Sequence, residues 1–74
     1  MSPETYRLMS NTIALFPEED REVAHYIPLG SLIHVKHSLD GNGLIEVVWE
    51  GQTVWMFPQD IRARGERVPL TGPT

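Results

Sequence analysis

The chain has 74 residues, enough for one domain and one small apolar core. It is 41% hydrophobic and 22% charged and has no cysteine, so neither a disulfide nor a thiolate metal site can staple it. A net charge of −4 with only six Lys and Arg residues argues against nucleic acid as a partner, because phosphate binding draws on cationic side chains.

The N-terminus, MSPETYRLMSN, lacks the basic region and apolar run of a signal peptide. No apolar run approaches the roughly 20 residues that span a bilayer. The expectation is a cytoplasmic globular domain with no membrane contact.

Ser2-Pro3-Glu4 has the chemistry of a helix start, which leaves two readings for residues 3–9: a short helix or a frayed terminus. Residues 12–16, TIALF, read as a strand that Pro17 ends, and Glu18-Glu19-Asp20 begins an acidic loop. Glu22 to Tyr26 return as a short strand or loop arm, and Pro28-Leu29-Gly30 is a turn. Residues 31–37, SLIHVKH, alternate, with Ile33 and Val35 on one face and Leu32, His34 and Lys36 on the other.

Asp40-Gly41-Asn42-Gly43 is the strongest turn signal, since Gly and Asn tolerate positive φ. Leu44 to Ile61, LIEVVWEGQTVWMFPQDI, reads as two strands joined at Glu50-Gly51-Gln52 and closed by a proline-led turn. Ile45, Val47, Trp49, Val54 and Met56 fall on one apolar face. Glu46, Val48, Glu50, Thr53, Trp55 and Phe57 fall on the other. Pro58 to Ile61 form a single 3-10 turn, and Arg62 to Val68 make a last strand interrupted at Gly65.

Placing Ile33 and Val35 on the core face with Val47 and Trp49 sets His34 opposite Val48 and Lys36 opposite Glu46, with a three-residue loop at Asp40 to Asn42. Val48 then faces Trp55 on the next strand. A three-stranded meander leaves its dry face uncovered, so the strands at 12–16 and 62–68 fold over it. The expected fold is all-β, a small five-stranded antiparallel barrel over residues 12–68. Residues 1–11 form an N-terminal segment and residues 69–74 a loose tail.

These segments resemble the SH3-like barrel. Ala14-Leu15-Phe16 is similar to part of the ALYDY motif, and Glu18-Glu19-Asp20 to the acidic loop. Leu29 to Val35 is similar to the glycine-then-strand segment, and Phe57-Pro58-Gln59-Asp60 to the proline-containing turn. The resemblance implies a ligand strip on Phe16, Pro58 and Trp55, but Ile61 stands where the family has a tyrosine after that turn. Val54-Trp55-Met56-Phe57-Pro58 is also similar to the active-site strand of the tetrameric type II dihydrofolate reductases. Trp55 and Phe57 there replace the polar Gln and the Tyr. The ending FPQDIRARGE resembles short bacterial SH3-like proteins that carry no assigned activity.

Catalytic chemistry finds little support. His34 and His37 have His-x-x-His spacing, but on a strand that spacing sends the rings to opposite faces. Glu46 and Glu50 lie about 13 Å apart by strand rise, too far for paired acid–base work. No nucleophile motif, phosphate-cradling loop or complete calcium loop is present, so no catalytic, metal or cofactor residue is assigned.

Trp55 and Phe57, interleaved with charges on the face opposite the core, are the candidate partner-binding residues, with Phe16 and Pro58 beside them. Residues 3–11 either pack across them, with Tyr6, Leu8 and Met9 over the rings, or leave them open. The functional expectation is a non-catalytic SH3-like module that binds a protein partner or a second copy through this aromatic patch. The alternatives are an enzyme or binding site at a homo-oligomer interface, and weak nucleic-acid binding through Arg62, Arg64 and Arg67.

Overall fold

Two turns with backbone in the left-handed region set the strand pairing. Glu50 and Gly51 have φ of 50° and 79°, and they join Trp49 to its partner Gln52 through a two-residue hairpin turn. That turn pins Val47 against Val54 and Ile45 against Met56. Glu19 and Asp20, at φ 47° and 69°, make a second turn of the same kind between Glu18 and Arg21. Glycine accepts this region freely; Glu19 and Asp20 pay roughly 1–2 kcal/mol each for lacking that freedom.

The computed structural model describes residues 4–69. Seven strands and one helix follow in order: β1 (Glu4–Leu8), β2 (Thr12–Glu18), β3 (Arg21–Ile27), β4 (Leu32–Val35), β5 (Ile45–Trp49), β6 (Gln52–Met56), α1 (Pro58–Arg64) and β7 (Gly65–Val68). All pairings described are antiparallel, in one open sheet ordered β3-β2-β6-β5-β4-β1-β7. The all-β expectation holds. The five-stranded closed barrel does not, because residues 4–8 and 21–27 both become full strands and β3 and β7 end the sheet unjoined.

Residues 4–8, read from the sequence as part of either a short helix or a frayed terminus, form a strand. Thr5 and Tyr6 favour extended backbone, and β1 lies between β4 and β7, which hydrogen-bond it from both sides. Leu8 ends β1 fully buried. Its amide donates to the Ser31 carbonyl at 2.9 Å, and its carbonyl accepts from Gly30 N–H at 2.6 Å. Residues 4–8 of the N-terminal segment are therefore part of the sheet, while most of the tail expected over 69–74 lies outside the described residues.

The proline-led turn is longer than expected. Pro58 occupies the first turn of an α-helix that runs to Arg64, with Asp60 near its start and Arg62 and Arg64 near its end. The Phe57 carbonyl accepts from Asp60 N–H at 3.1 Å and Ile61 N–H at 3.3 Å. The final strand is correspondingly shorter, Gly65–Val68.

One sheet face is dry. Ala14, Phe16, Ile33, Val35, Val47, Val54 and Met56 are buried on it, Leu8 and Ile27 close its ends, and Ile61 of α1 packs into the same cluster. The sheet curls around this cluster, since a flat sheet would leave these side chains open to water. Thr12, the buried polar residue of the core, donates its hydroxyl to the Ser10 carbonyl at 2.9 Å. The β4–β5 register matches expectation at His34↔Val48, but the ladder ends at Val35↔Val47 and residues 36–44 form a longer loop. Across β5 and β6, Val48 faces Thr53, and Trp55 faces Glu46.

Two predictions follow from the packing around β1 and β7. A Cβ at Gly65 would sit 2.7 Å from the Ile61 carbonyl oxygen and 3.5 Å from Tyr6 Cβ. Gly65→Ala should destabilise the fold by about 1–3 kcal/mol in urea titration, and an unchanged midpoint would contradict that packing. Tyr6 donates its hydroxyl to Glu4 Oε1 at 3.1 Å. Burial first, then the Glu4 hydrogen bond and charge, push its phenol above the ordinary 10.0, while Arg67 opposes. Because the folded value is the higher one, this contribution is complete below the ordinary value and is lost as pH rises through the folded value. Tyr6→Phe should remove that alkaline loss; identical alkaline unfolding profiles would refute it.

Candidate binding face

Residues opposite each other across antiparallel strands share a face, so the register assembles the outer surface directly. Ala24 of β3 pairs with Leu15 of β2, Leu15 with Trp55 of β6, and Trp55 with Glu46 of β5. These four residues form one cross-strand row on the face opposite the core. Tyr26 pairs with Ile13 on the same face, and Phe57 and Leu44, exposed, lie just beyond the ends of β6 and β5. Tyr26 is 69% exposed, Phe57 38% and Leu44 37%; Ile13, Leu15 and Trp55 are half-buried.

The Leu15↔Trp55 bridge is the whole of the β2–β6 ladder. Two local causes stop it from extending. Pro17, opposite Thr53 in this register, has no amide to donate. On the other side, the Phe57 carbonyl is already taken by the first turn of α1. The β2–β3 hairpin therefore stays paired over its full length, Thr12↔Ile27 to Glu18↔Arg21, while holding the rest of the sheet at one point.

The four expected partner-binding residues separate. Trp55 and Phe57 share the outer face. Phe16 is only 8% exposed and points inward, with ring contacts edge-to-face to His25 at 5.3 Å and Trp49 at 5.8 Å. Pro58 is fully buried in the first turn of α1. A strip joining Phe16, Pro58 and Trp55 is not on the surface, because β2 turns its even-numbered residues to the core. Residues 4–8 do not cover Trp55 either, since β5 and β4 separate β1 from β6 in the sheet.

Beside Trp55 the outer face is indented. A cleft of about 270 Å³ lies among Lys36, His37, Glu46, Val48 and Thr53. A smaller one of about 130 Å³ is lined by His37, Leu44, Ile45, Glu46 and Trp55. His37 Nε2 stands 4.0 Å from Glu46 Oε1 between them, where Lys36 was expected to meet Glu46. Both clefts fall below the usual range for a drug-sized ligand and have the size of single side chains.

The other candidate groups are dispersed. His34 Nδ1 lies 3.0 Å from Thr5 Oγ1, and His25 Nε2 donates to Glu18 Oε2 at 3.2 Å. Among the described residues, no three His, Cys, Asp or Glu side chains converge on a metal position. Arg67 pairs with Glu4 at 3.2 Å, and Arg64 donates to Ser10 Oγ at 3.3 Å, so two of the three clustered arginines are engaged within the fold. No helix among the described residues is long and apolar enough to cross a membrane.

Comparison of the chain with protein-family models, with curated proteins and with solved structures finds no match.

Ile13, Leu15, Tyr26 and Leu44 enlarge the patch beyond the aromatic pair seen in the sequence. TIALF is apolar at four of its five positions, so alternation alone does not say which of its side chains face water. The register settles this. Phe16→Ala should cost about 3–5 kcal/mol of stability and Phe57→Ala less than about 1 kcal/mol, measured by denaturant unfolding. Equal costs would contradict the inward placement of Phe16.

Proposed function

We propose that this chain is a small non-catalytic binding module of the cytoplasm, and that its contact surface is the outer face of β3, β2, β6 and β5. The observation that carries the reading is the cross-strand row Ala24–Leu15–Trp55–Glu46, with the pair Tyr26–Ile13 beside it and the exposed Phe57 directly after β6. Together these residues put a tryptophan, a phenylalanine and a tyrosine on one side of a sheet whose other side holds the core. Aromatic anchors of this kind carry most of the binding energy at protein interfaces, with polar groups at the rim.

The rim supports a choice of partner chemistry. Glu46 and Glu22 border the rows, and the chain carries a net charge of −4. A protein surface that offers apolar side chains to Trp55 and Phe57, ringed by lysine or arginine, complements it in shape and charge. The clefts beside Trp55 are sized to take one such side chain each.

Kinship with SH3-like chains forms part of the proposal. It is supported by the order of the segments from β2 on: strand, acidic turn, the added strand β3, glycine-led strand, hairpin and proline-led helix. Docking of proline-rich peptides does not form part of it, because Phe16 and Pro58 are buried.

A photocrosslinking residue at position 57 should capture the partner, and one at Arg62 on α1 should not. Trp55→Ala should weaken the captured complex at least about tenfold, equivalent to about 1.4 kcal/mol, with an unchanged circular dichroism spectrum. Unfolding of Trp55→Ala, or capture that survives it, would remove the outer face from the function.

A further inference from the structure

The two ends of the sheet are unlike. β7 is short and carries Glu66 and Arg67, with Pro69 directly after it, which are the usual protections of an exposed edge. β3 opens with Arg21 and Glu22 and is followed by Pro28, but at seven residues it is longer, and its stretch Val23-Ala24-His25-Tyr26-Ile27 contains no lysine, arginine, carboxylate or proline. Among the described residues, no strand pairs with its outer side. Glu22, Ala24 and Tyr26 are all exposed there.

The hydrogen-bond phase of this edge follows from the turn. In a two-residue hairpin the flanking pair, Glu18↔Arg21, is the hydrogen-bonded one, and bonded and non-bonded pairs then alternate. Phe16↔Val23, Ala14↔His25 and Thr12↔Ile27 are bonded. Pro17↔Glu22, Leu15↔Ala24 and Ile13↔Tyr26 are not. The phase fits Pro17, which sits at a position that requires no amide toward β3. It also fits the Leu15 backbone being free to bridge Trp55. The amides and carbonyls of Glu22, Ala24 and Tyr26 therefore point away from the molecule.

We infer that this edge pairs with the β3 of a second copy, antiparallel, about a two-fold axis at Ala24. In this register Ala24 meets Ala24 of the other copy and Glu22 meets Tyr26, so every outward-pointing group of the edge finds a partner. About six main-chain hydrogen bonds result, against about four when the register slips by two residues. All seven residues of β3 are paired, Arg21 with Ile27 at each end. Charge agrees: Glu18, Glu19 and Asp20 of one copy lie beside the uncharged Pro28-Leu29-Gly30 of the other, so the acidic turns never meet. The outer rows join across the axis into a single strip, Trp55–Leu15–Ala24–Ala24–Leu15–Trp55. The inference rests on the β3 edge and not on the outer-face reading; the joined strip is its consequence.

Sedimentation equilibrium across a concentration series, with residue-resolved amide exchange, tests it. The amides of Val23, His25 and Ile27 should be protected at all concentrations by the hairpin. Those of Glu22, Ala24 and Tyr26 should gain protection only as dimer forms. Ala24→Pro removes an amide the hairpin does not use and should raise the dimer dissociation constant at least about tenfold. Ala24→Lys should do the same through like charges at the axis, and mixing Ala24→Lys with Ala24→Glu should restore a heterodimer. Trp55→Ala should leave self-association unchanged, which separates this inference from the proposed partner site. A monomer at every concentration, a dimer indifferent to both Ala24 variants, or protection that does not alternate along β3 would overturn it.

Discussion

The register of the β5–β6 hairpin is the constraint on which the rest of this structure depends. Glu50 and Gly51 turn the chain in two residues, and that turn sets Val47 against Val54. A slip of β6 by one residue against β5 would send Val54 and Met56 into water and bring Thr53 and Trp55 into the core. No covalent staple is available to a cysteine-free chain, so the apolar face must be correct for the domain to hold. Every other strand is placed relative to this pair: β4 continues the sheet on one side, β2 on the other, and α1 drops Ile61 onto the shared face.

A second constraint is the narrow junction between β2 and β6. An arm that pairs over seven residues with itself touches its neighbour through one bridge, Leu15↔Trp55. The same bridge lies at the centre of the outer apolar rows. Core packing of Phe16 against Trp49 secures the inner side of this junction, at a ring separation of 5.8 Å. Trp55 occupies the outer side. The chain's two tryptophans thus hold opposite faces of one joint, one facing the core and the other facing solvent beside the clefts.

Among the described residues, the His, Asp and Glu side chains do not converge on one metal position. The histidines hold separate partners, Thr5, Glu18 and Glu46, and the acidic turn stands at the far end of the β2–β3 arm. The apolar outer face and the unprotected edge of β3 adjoin each other at Ala24 and Tyr26. An interface that used the edge would leave Trp55 and Phe57 available for a different partner.

Alternation in the sequence determines the hairpin faces, the burial of Ile33, Val35, Val47, Val54 and Met56, and the His34↔Val48 register, because side chains on a strand must take turns between water and core. It also shows Trp55 and Phe57 to be on the outer side. Three matters were decided only by tertiary pairing. Residues 4–8 form a strand because β4 and β7 hydrogen-bond them on both sides, which overrides a helix-start signal at Ser2-Pro3-Glu4. Phe16 is core and Leu15 is surface because β2 meets β6 at a particular residue, and a run apolar at almost every position carries no phase of its own. The sheet is open with seven strands because β3 adds to one edge and β1 inserts between β4 and β7, and whether an edge closes depends on contacts far apart in the chain that no local pattern encodes.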